Sequence, residues 1–400
     1  MNLPQLPGRG RPRYLFVIND VGFIYSHFWE LALSIRDCGW EVVIVGGAAA
    51  DPARAVEAGM VFIPLRPVIG IGGPVSEIRF LVRLWRVFRS LRPEAVHFVS
   101  LKNVLLGGLL AKWAGLPARL GAITGMGTLF VEDRLHYRML RPLVLTGIRR
   151  AFSGPDAVLA VENRDDRDLL LRRGVAEEDR ISVIPGAGLN ECAIRPSPWQ
   201  GTPPVILCVS RMIRNKGILD LIEAGSLLHA QGLSFEIHLV GDIDLSNPSS
   251  YTREELLLLQ QPEFIRWLGR RSDVADLLGR ADVFCLPTYY REGLPRSLVE
   301  ACAAGLPVVT TDVPGCRDIV VDKVTGYLVP PRNQPALAEA LRSLLEDPAL
   351  RMSMGAAARK RFEEQFSMTS VLSAFSKCHE KLRLPLRIAP PRGGRNGESQ

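Results

Sequence analysis

The sequence predicts an α/β protein made of two doubly wound, parallel-sheet domains, and three observations predict it. The chain opens as strand, helix and strand. A second series of the same kind starts near residue 205. Between them, residues 196–198 (Pro-Ser-Pro) and 202–204 (Thr-Pro-Pro) form a proline-rich linker, which marks the domain boundary. Four hundred residues are ample for two such domains.

The elements follow in order. Residues 14–19 read as a strand, 20–25 as a loop containing Gly22, and 26–38 as a helix opened by Ser26-His27 and ended by Gly39. Further strands are expected at 41–45, 60–64, 95–98, 119–123, 157–161 and 180–184, with helices at 74–91 and 103–114 among the gaps. The second series places strands at 205–210, 235–240, 264–268, 283–286, 307–310 and 326–329. Its helices fall at 218–230, 335–344 and 352–365, and a last helix at about 369–384. Residues 1–13 and the Pro-, Arg- and Gly-rich tail 385–400 read as disordered. The expected domains are thus 14–198 and 199–366, followed by a terminal helical segment 367–384.

Charged residues at 23% and apolar ones at 47% are those of a globular protein. Seven cysteines are scattered without a metal-ligand cadence, as expected of reduced core thiols in a cytosolic protein. The polar opening MNLPQLPGRGRPR holds no signal-peptide core, and no apolar run approaches the roughly 20 residues of a membrane span. A chain that does not cross a bilayer is expected. The net charge of +7 suits an anionic partner, whether nucleic acid, acidic lipid or phosphorylated substrate, and does not choose among them.

The most informative stretch is residues 283–309, VFCLPTYYREGLPRSLVEACAAGLPVV. A buried strand ends at Pro287, and a helix follows with Pro295 near its first turn. A glycine-containing loop feeding a helix N-terminus leaves amide groups facing an anion, and phosphate is the natural guest. Glu300, inside the helix, can accept two hydrogen bonds from a vicinal diol such as ribose. Glu292, beside Gly293 and Leu294, can hold a second polyol beyond the phosphates. The plainer alternative is one capping carboxylate and one solvated helix face.

The wording YREGLPRSLVEACAAGLPVVTTDVPGCRDIV closely resembles the E-x7-E signature of family-four, GT-B-type retaining glycosyltransferases. The resemblance extends over almost the whole chain except its tails. It implies two Rossmann-like domains facing across a cleft, with the last helix crossing back to the first domain. It also implies that Glu292 contacts the transferred sugar and Glu300 the nucleotide ribose. Arg211 and Lys216, on a strand-to-helix loop, are suited to neutralise a diphosphate, and the family places this R-x4-K pair on the donor. Arg270, in Leu268-Gly269-Arg270, matches the loop beside the nucleobase. Fixed cations stabilise the leaving group without a metal. Asp242-Ile-Asp244 lacks the flanks of a metal-dependent transferase and reads as structural.

The stretches around FIYSHFWELA and from Ser100-Leu-Lys102 to ITGMGTLF resemble O-antigen and capsule transferases that act on polyprenyl-diphosphate sugars. That makes Gly22, His27, Lys102, Thr124 and Gly125 candidate acceptor contacts, with His27 counted among the catalytic candidates beside Glu292, Arg211 and Lys216. Arg79, Arg83, Arg86 and Arg89 recur at helical spacing against Phe80, Leu81, Leu84, Trp85, Val87, Phe88 and Leu91. A basic stripe over an apolar face is how a membrane-surface helix reads, and an ordinary helix with a solvated basic face is its alternative. Arg134, Arg138, Arg141, Arg149 and Arg150 can widen the basic patch.

The reading is a cytoplasmic glycosyltransferase, peripheral on the inner face of the cytoplasmic membrane. It moves a hexose or N-acetylhexosamine from a nucleotide sugar, expected to be a UDP-sugar, to a polyprenyl-diphosphate-linked saccharide. No further cofactor, no metal and no nucleic-acid partner are expected. The alternatives are a non-hydrolysing UDP-sugar epimerase, which would need acidic and histidine groups poised for proton abstraction, and a non-catalytic nucleotide-sugar-binding subunit.

Overall fold

The computed structural model describes residues 10–65, 74–131, 135–190, 194, 202–245, 247–386 and 388. The chain divides into two compact units, residues 1–188 with 368–400, and residues 189–367. The division falls ten residues before the expected 198/199 boundary, because Leu189 bridges to Ser367 and is buried in the core of the second unit. The proline stretch 196–198 lies outside the described residues.

The first unit carries a seven-stranded parallel sheet of β1 (Arg13–Asp20), β2 (Glu41–Gly47), β3 (Val61–Pro64), β4 (Ala95–Val99), β5 (Ala118–Ile123), β6 (Ala157–Val161) and β7 (Ile181–Val183), in the order 3-2-1-4-5-6-7. Its strands are mostly apolar because both faces are covered, with Arg13, His97 and Arg119 as buried polar exceptions. Tyr14, Phe16 and Ile18 of β1 enter one core, and Leu15 and Val17 the other. The order reverses between β1 and β4, and ligands of such sheets bind at the carboxyl edge beside that point. Helix Met368–Lys381 packs Val371, Leu372, Phe375 and Cys378 into the β1 core. There the Tyr14 hydroxyl lies 2.9 Å from His379 Nε2 and 3.3 Å from His97 Nδ1, with all three side chains buried.

The second unit has a six-stranded parallel sheet of β8 (Val205–Val209), β9 (Glu236–Val240), β10 (Ile265–Trp267), β11 (Val283–Leu286), β12 (Val308–Thr311) and β13 (Gly326–Val329), ordered 10-9-8-11-12-13. It repeats the plan of the first unit around its own core. Its central thiols Cys208, Cys302 and Cys316 are pushed up to about 12 by burial, so they are neutral packing groups rather than nucleophiles.

Four sequence expectations are corrected. Residues 20–25 are not a loop: the Asp20 side chain accepts from the Gly22 amide, caps a helix from Val21, and the helix passes through a π-turn at Ile24–Phe28. Arg13 belongs to β1, where its guanidinium meets Glu41 at 2.5 Å, and Leu386, assigned by composition to a disordered tail, is buried against the first core. Helices Leu135–Ala151, Arg164–Arg172, Arg253–Leu259 and Val274–Gly279 fill gaps between the expected strands and correct nothing. In helix Pro74–Leu91, Phe80, Leu84, Val87, Phe88 and Leu91 are core residues, so they form no free membrane face.

Candidate active site

The second unit gathers its charged side chains where β8, β9 and β11 end. After β8, a turn at Arg214–Lys216 leads through Gly217 into helix Ile218–Ala230. Gly217 has a φ of +72°, and a Cβ there would lie 2.1 Å from the Pro287 carbonyl oxygen. Only glycine permits this approach. The contact presses the Lys216 turn onto the loop after β11, and two hydrogen bonds hold it. The Thr288 hydroxyl and the Tyr289 amide both donate to the Asn215 carbonyl, at 3.1 Å each. Lys216 and Glu292 therefore meet as a half-buried ion pair, and the Thr288 hydroxyl also donates to Glu292 Oε1 at 3.3 Å. Beneath them Gly315, at φ +83°, sits so close to the Gly293 carbonyl that a Cβ would come within 2.5 Å.

Arg211 stands apart from this pair. Its Nη1 donates to Asp244 Oδ2 at 2.7 Å, and the Asp244 amide donates to the Ser250 hydroxyl at 2.9 Å. Arg211, Asp242, Asp244 and Arg270 line one open cavity of about 570 Å³, floored by Gly241. Gly241 lies under it at φ +142° because the Ser210 carbonyl leaves no room for a side chain. Glu300 is on helix Arg296–Ala303, where Arg296 donates to its Oε1 at 2.9 Å. Leu294 is half-buried against the core. The donor candidates thus fall into a pair, Lys216 with Glu292, and a cavity group, Arg211 with Arg270. Asp244, expected to be structural, and Thr288 belong to this site as well. Asp244 sits among charged neighbours that only the fold assembles, so no sequence signal pointed to it.

The first unit's edge is mostly uncharged. His27 lies in the π-turn, stacked on Phe23 with ring centroids 3.9 Å apart, and its Nδ1 is 2.7 Å from the Ser26 hydroxyl. The Gly22 amide serves Asp20, which also accepts from the amides of Ala49 and Ala50 beyond β2. After β4, Ser100 adopts φ +83°, a strained conformation for serine, and Asn103 Nδ2 bridges the Asn19 side chain and the Val99 carbonyl. Lys102 pairs with Glu77 of helix Pro74–Leu91. Thr124 and Gly125 follow β5, Gly125 at φ +130°. Asn19, Ser100 and Asn103 form a polar cluster that is silent in the sequence, since short neutral side chains carry no motif. Among the described residues, no three His, Cys, Asp or Glu side chains gather as a metal site would require.

Two family models match, the glycosyl transferase 4-like domain over residues 24–187 and the glycosyl transferases group 1 model over residues 191–361. The chain belongs to the GT-B glycosyltransferases. The glycosyltransferase is 27% identical to the N,N'-diacetylbacillosaminyl-diphospho-undecaprenol alpha-1,3-N-acetylgalactosaminyltransferase of Campylobacter jejuni, across 70% of this chain and 75% of that one. It is 24% identical to the UDP-Gal:alpha-D-GlcNAc-diphosphoundecaprenol alpha-1,3-galactosyltransferase of Escherichia coli, across 69% and 72%. Among solved structures, a glycosyltransferase from Rickettsia africae shares the fold at a TM-score of 0.73 and 20% identity, covering 94% of this chain and 99% of that one. Among the described residues, no helix is long and apolar enough to cross a membrane.

Proposed function

We propose that this glycosyltransferase moves a hexose or N-acetylhexosamine, with retention, from a UDP-sugar to a saccharide carried on a polyprenyl diphosphate. The observation that carries the donor half is the Lys216–Glu292 pair, held together by the contact of Gly217 with Pro287 beside the Arg211–Arg270 cavity. The acceptor half rests on the relatives, whose names place their substrates on undecaprenyl diphosphate.

In this reading Arg211 and Lys216 take the diphosphate, Arg270 faces the base, Glu300 accepts from the ribose hydroxyls, and Glu292 with the Gly293–Leu294 backbone orients the transferred sugar. As the bond from the sugar C1 to the β-phosphate oxygen breaks, negative charge grows on the phosphate. Fixed cations stabilise that charge most where it develops, with no metal in the scheme. The acceptor hydroxyl bonds to C1 on the same face and passes its proton to the departing phosphate oxygen, so no protein base is required. Gly22, His27, Lys102, Thr124 and Gly125 would hold the acceptor diphosphate and sugar at the first unit's edge. Its lipid places the enzyme on the inner face of the cytoplasmic membrane, where Arg79, Arg83, Arg86 and Arg89, all exposed, meet an anionic leaflet.

A panel of UDP-, GDP- and ADP-sugars, each offered with a short-chain polyprenyl-diphosphate saccharide, tests this. Transfer from a UDP-sugar, giving an α-linked product from an α-linked donor, is expected. A product of inverted configuration, or release of an epimerised sugar, would contradict it.

A further inference from the structure

The first unit turns apolar side chains to solvent on one group of neighbouring helices. In helix Leu135–Ala151 the core takes Leu145, Ile148 and Ala151, while Leu135, Met139 and Leu143, one turn apart on the opposite side, are exposed. Leu135, Met139 and Leu143 are each about 70% exposed (73%, 67% and 68%). A soluble helix normally turns its polar side outward, so this face is inverted. Helix Pro74–Leu91 does the same with Val75, Ile78 and Val82, interleaved with the exposed Arg79, Arg83, Arg86 and Arg89. Helix Gly108–Trp113 packs against both and ends in Trp113, exposed at 75% with its ring 6.2 Å from that of Trp85. Elsewhere the described exposed large apolar residues lie singly or in twos on separate elements.

We propose that this surface enters the headgroup–acyl boundary of an anionic bilayer, so that attachment is apolar as well as electrostatic. Interfacial helices combine buried apolar area with cationic flanks, and both are present here. Charge complementarity favours lipid over a second copy of the chain, since pairing two such faces would oppose like-charged arginines. Position favours it too. In parallel crossovers, helices start at the carboxyl edge of the sheet, and the apolar residues occupy the first half of both long helices. Glu77, next to Ile78, is the ion-pair partner of Lys102, so the apolar surface borders the candidate acceptor contacts. The basic patch shrinks accordingly. Arg141 turns inward, donating to the Leu129 carbonyl at 2.8 Å, and Arg134 lies outside the described residues. The inference rests on the lipid-linked acceptor of the proposed function.

The test is co-sedimentation of the full chain with phosphatidylcholine–phosphatidylglycerol vesicles, at low salt and at about 1 M, where the Debye length is about 3 Å. Binding should fall with salt yet keep a salt-resistant remainder. The variant Leu135→Gln, Met139→Gln, Leu143→Gln should lower partition at least tenfold and abolish that remainder, with its thermal unfolding little changed because these side chains are about 70% exposed. Arg79→Gln, Arg83→Gln, Arg86→Gln, Arg89→Gln should remove the salt-sensitive part only. Brominated lipid should quench the wild type more than Trp113→Phe. Complete release at high salt, or wild-type binding by the apolar variant, overturns the proposal. So does a variant that merely turns a dimer into a monomer in lipid-free buffer. Transfer to a short soluble acceptor separates the two readings: its survival without vesicle binding sinks this inference alone, and vesicle binding without any transfer sinks the proposed function.

Discussion

The two units share a strand order, 3-2-1-4-5-6 and its repeat, yet distribute charge in opposite ways. In the second unit the charged side chains meet one another at the carboxyl edge, as Lys216 with Glu292 and Arg211 with Asp244. In the first unit that edge carries the neutral side chains Asn19, Ser100 and Asn103, while Arg79, Arg83, Arg86, Arg89 and the exposed apolar residues stand on the outer helix faces. The same scaffold thus presents a compact ionic site in one copy and a broad, partly apolar surface in the other. A doubly wound sheet fixes where loops converge and leaves their chemistry free.

The contrast breaks most readily at Lys216. It is 12% exposed against 59% for Arg211, so water screens it less and its charge acts more strongly. Lys216→Ala should lower turnover at least a hundredfold, about 2.7 kcal/mol, and Arg211→Ala about tenfold, in initial-rate assays. Equal, small losses at both would show that the half-buried pair has no special place.

Next comes backbone strain. Gly217→Ala drives a Cβ into the Pro287 carbonyl and should cost about 3 kcal/mol by urea unfolding of the second unit, with turnover falling as the Lys216 turn shifts. Gly39→Ala, at φ +87° with open space around it, should cost about 1 kcal/mol and leave turnover intact. Similar losses at both sites would remove the packing argument.

A smaller effect belongs to the first unit. Burial pushes the His379 imidazole down to about 3, and burial together with His379 holds His97 well below the ordinary value. The unfolded chain therefore takes up protons first as pH drops below about 6.5, so stability is present above that pH and is lost on the way down towards 3, by about 1.4 kcal/mol per pH unit for each histidine titrating. Chemical unfolding between pH 7 and 5 should show that slope, and His379→Gln should flatten it. Smallest of all, Glu300→Gln should weaken UDP binding by about 1 kcal/mol, roughly fivefold, with turnover of bound donor retained.

Much of the fold was legible because buried parallel strands are continuous apolar runs. Strands 157–161, 283–286 and 326–329 and helices 74–91 and 218–230 carry their observed bounds in the sequence. The helix from Val21 was not legible, since Asp20 caps it through one local hydrogen bond that a glycine-containing stretch conceals. Helix Leu135–Ala151 escaped notice because its outward face is apolar and Pro142 interrupts it, which blurs its periodicity. In the site, the residues with a motif were found, and Lys216 with Glu292 do come together. Asp244, Thr288 and Asn103 act through contacts 33, 73 and 84 residues away in sequence, and spacing carries no trace of these.

The division of labour between the units is tested most directly by amide hydrogen exchange with and without UDP. The strongest protection should fall in the second unit, at residues 210–217, 241–245, 269–271 and 292–300, with the amides around Gly22–His27 and Lys102 changing least. Strongest protection at the first unit's edge, with the Lys216 turn exchanging as before, would contradict it.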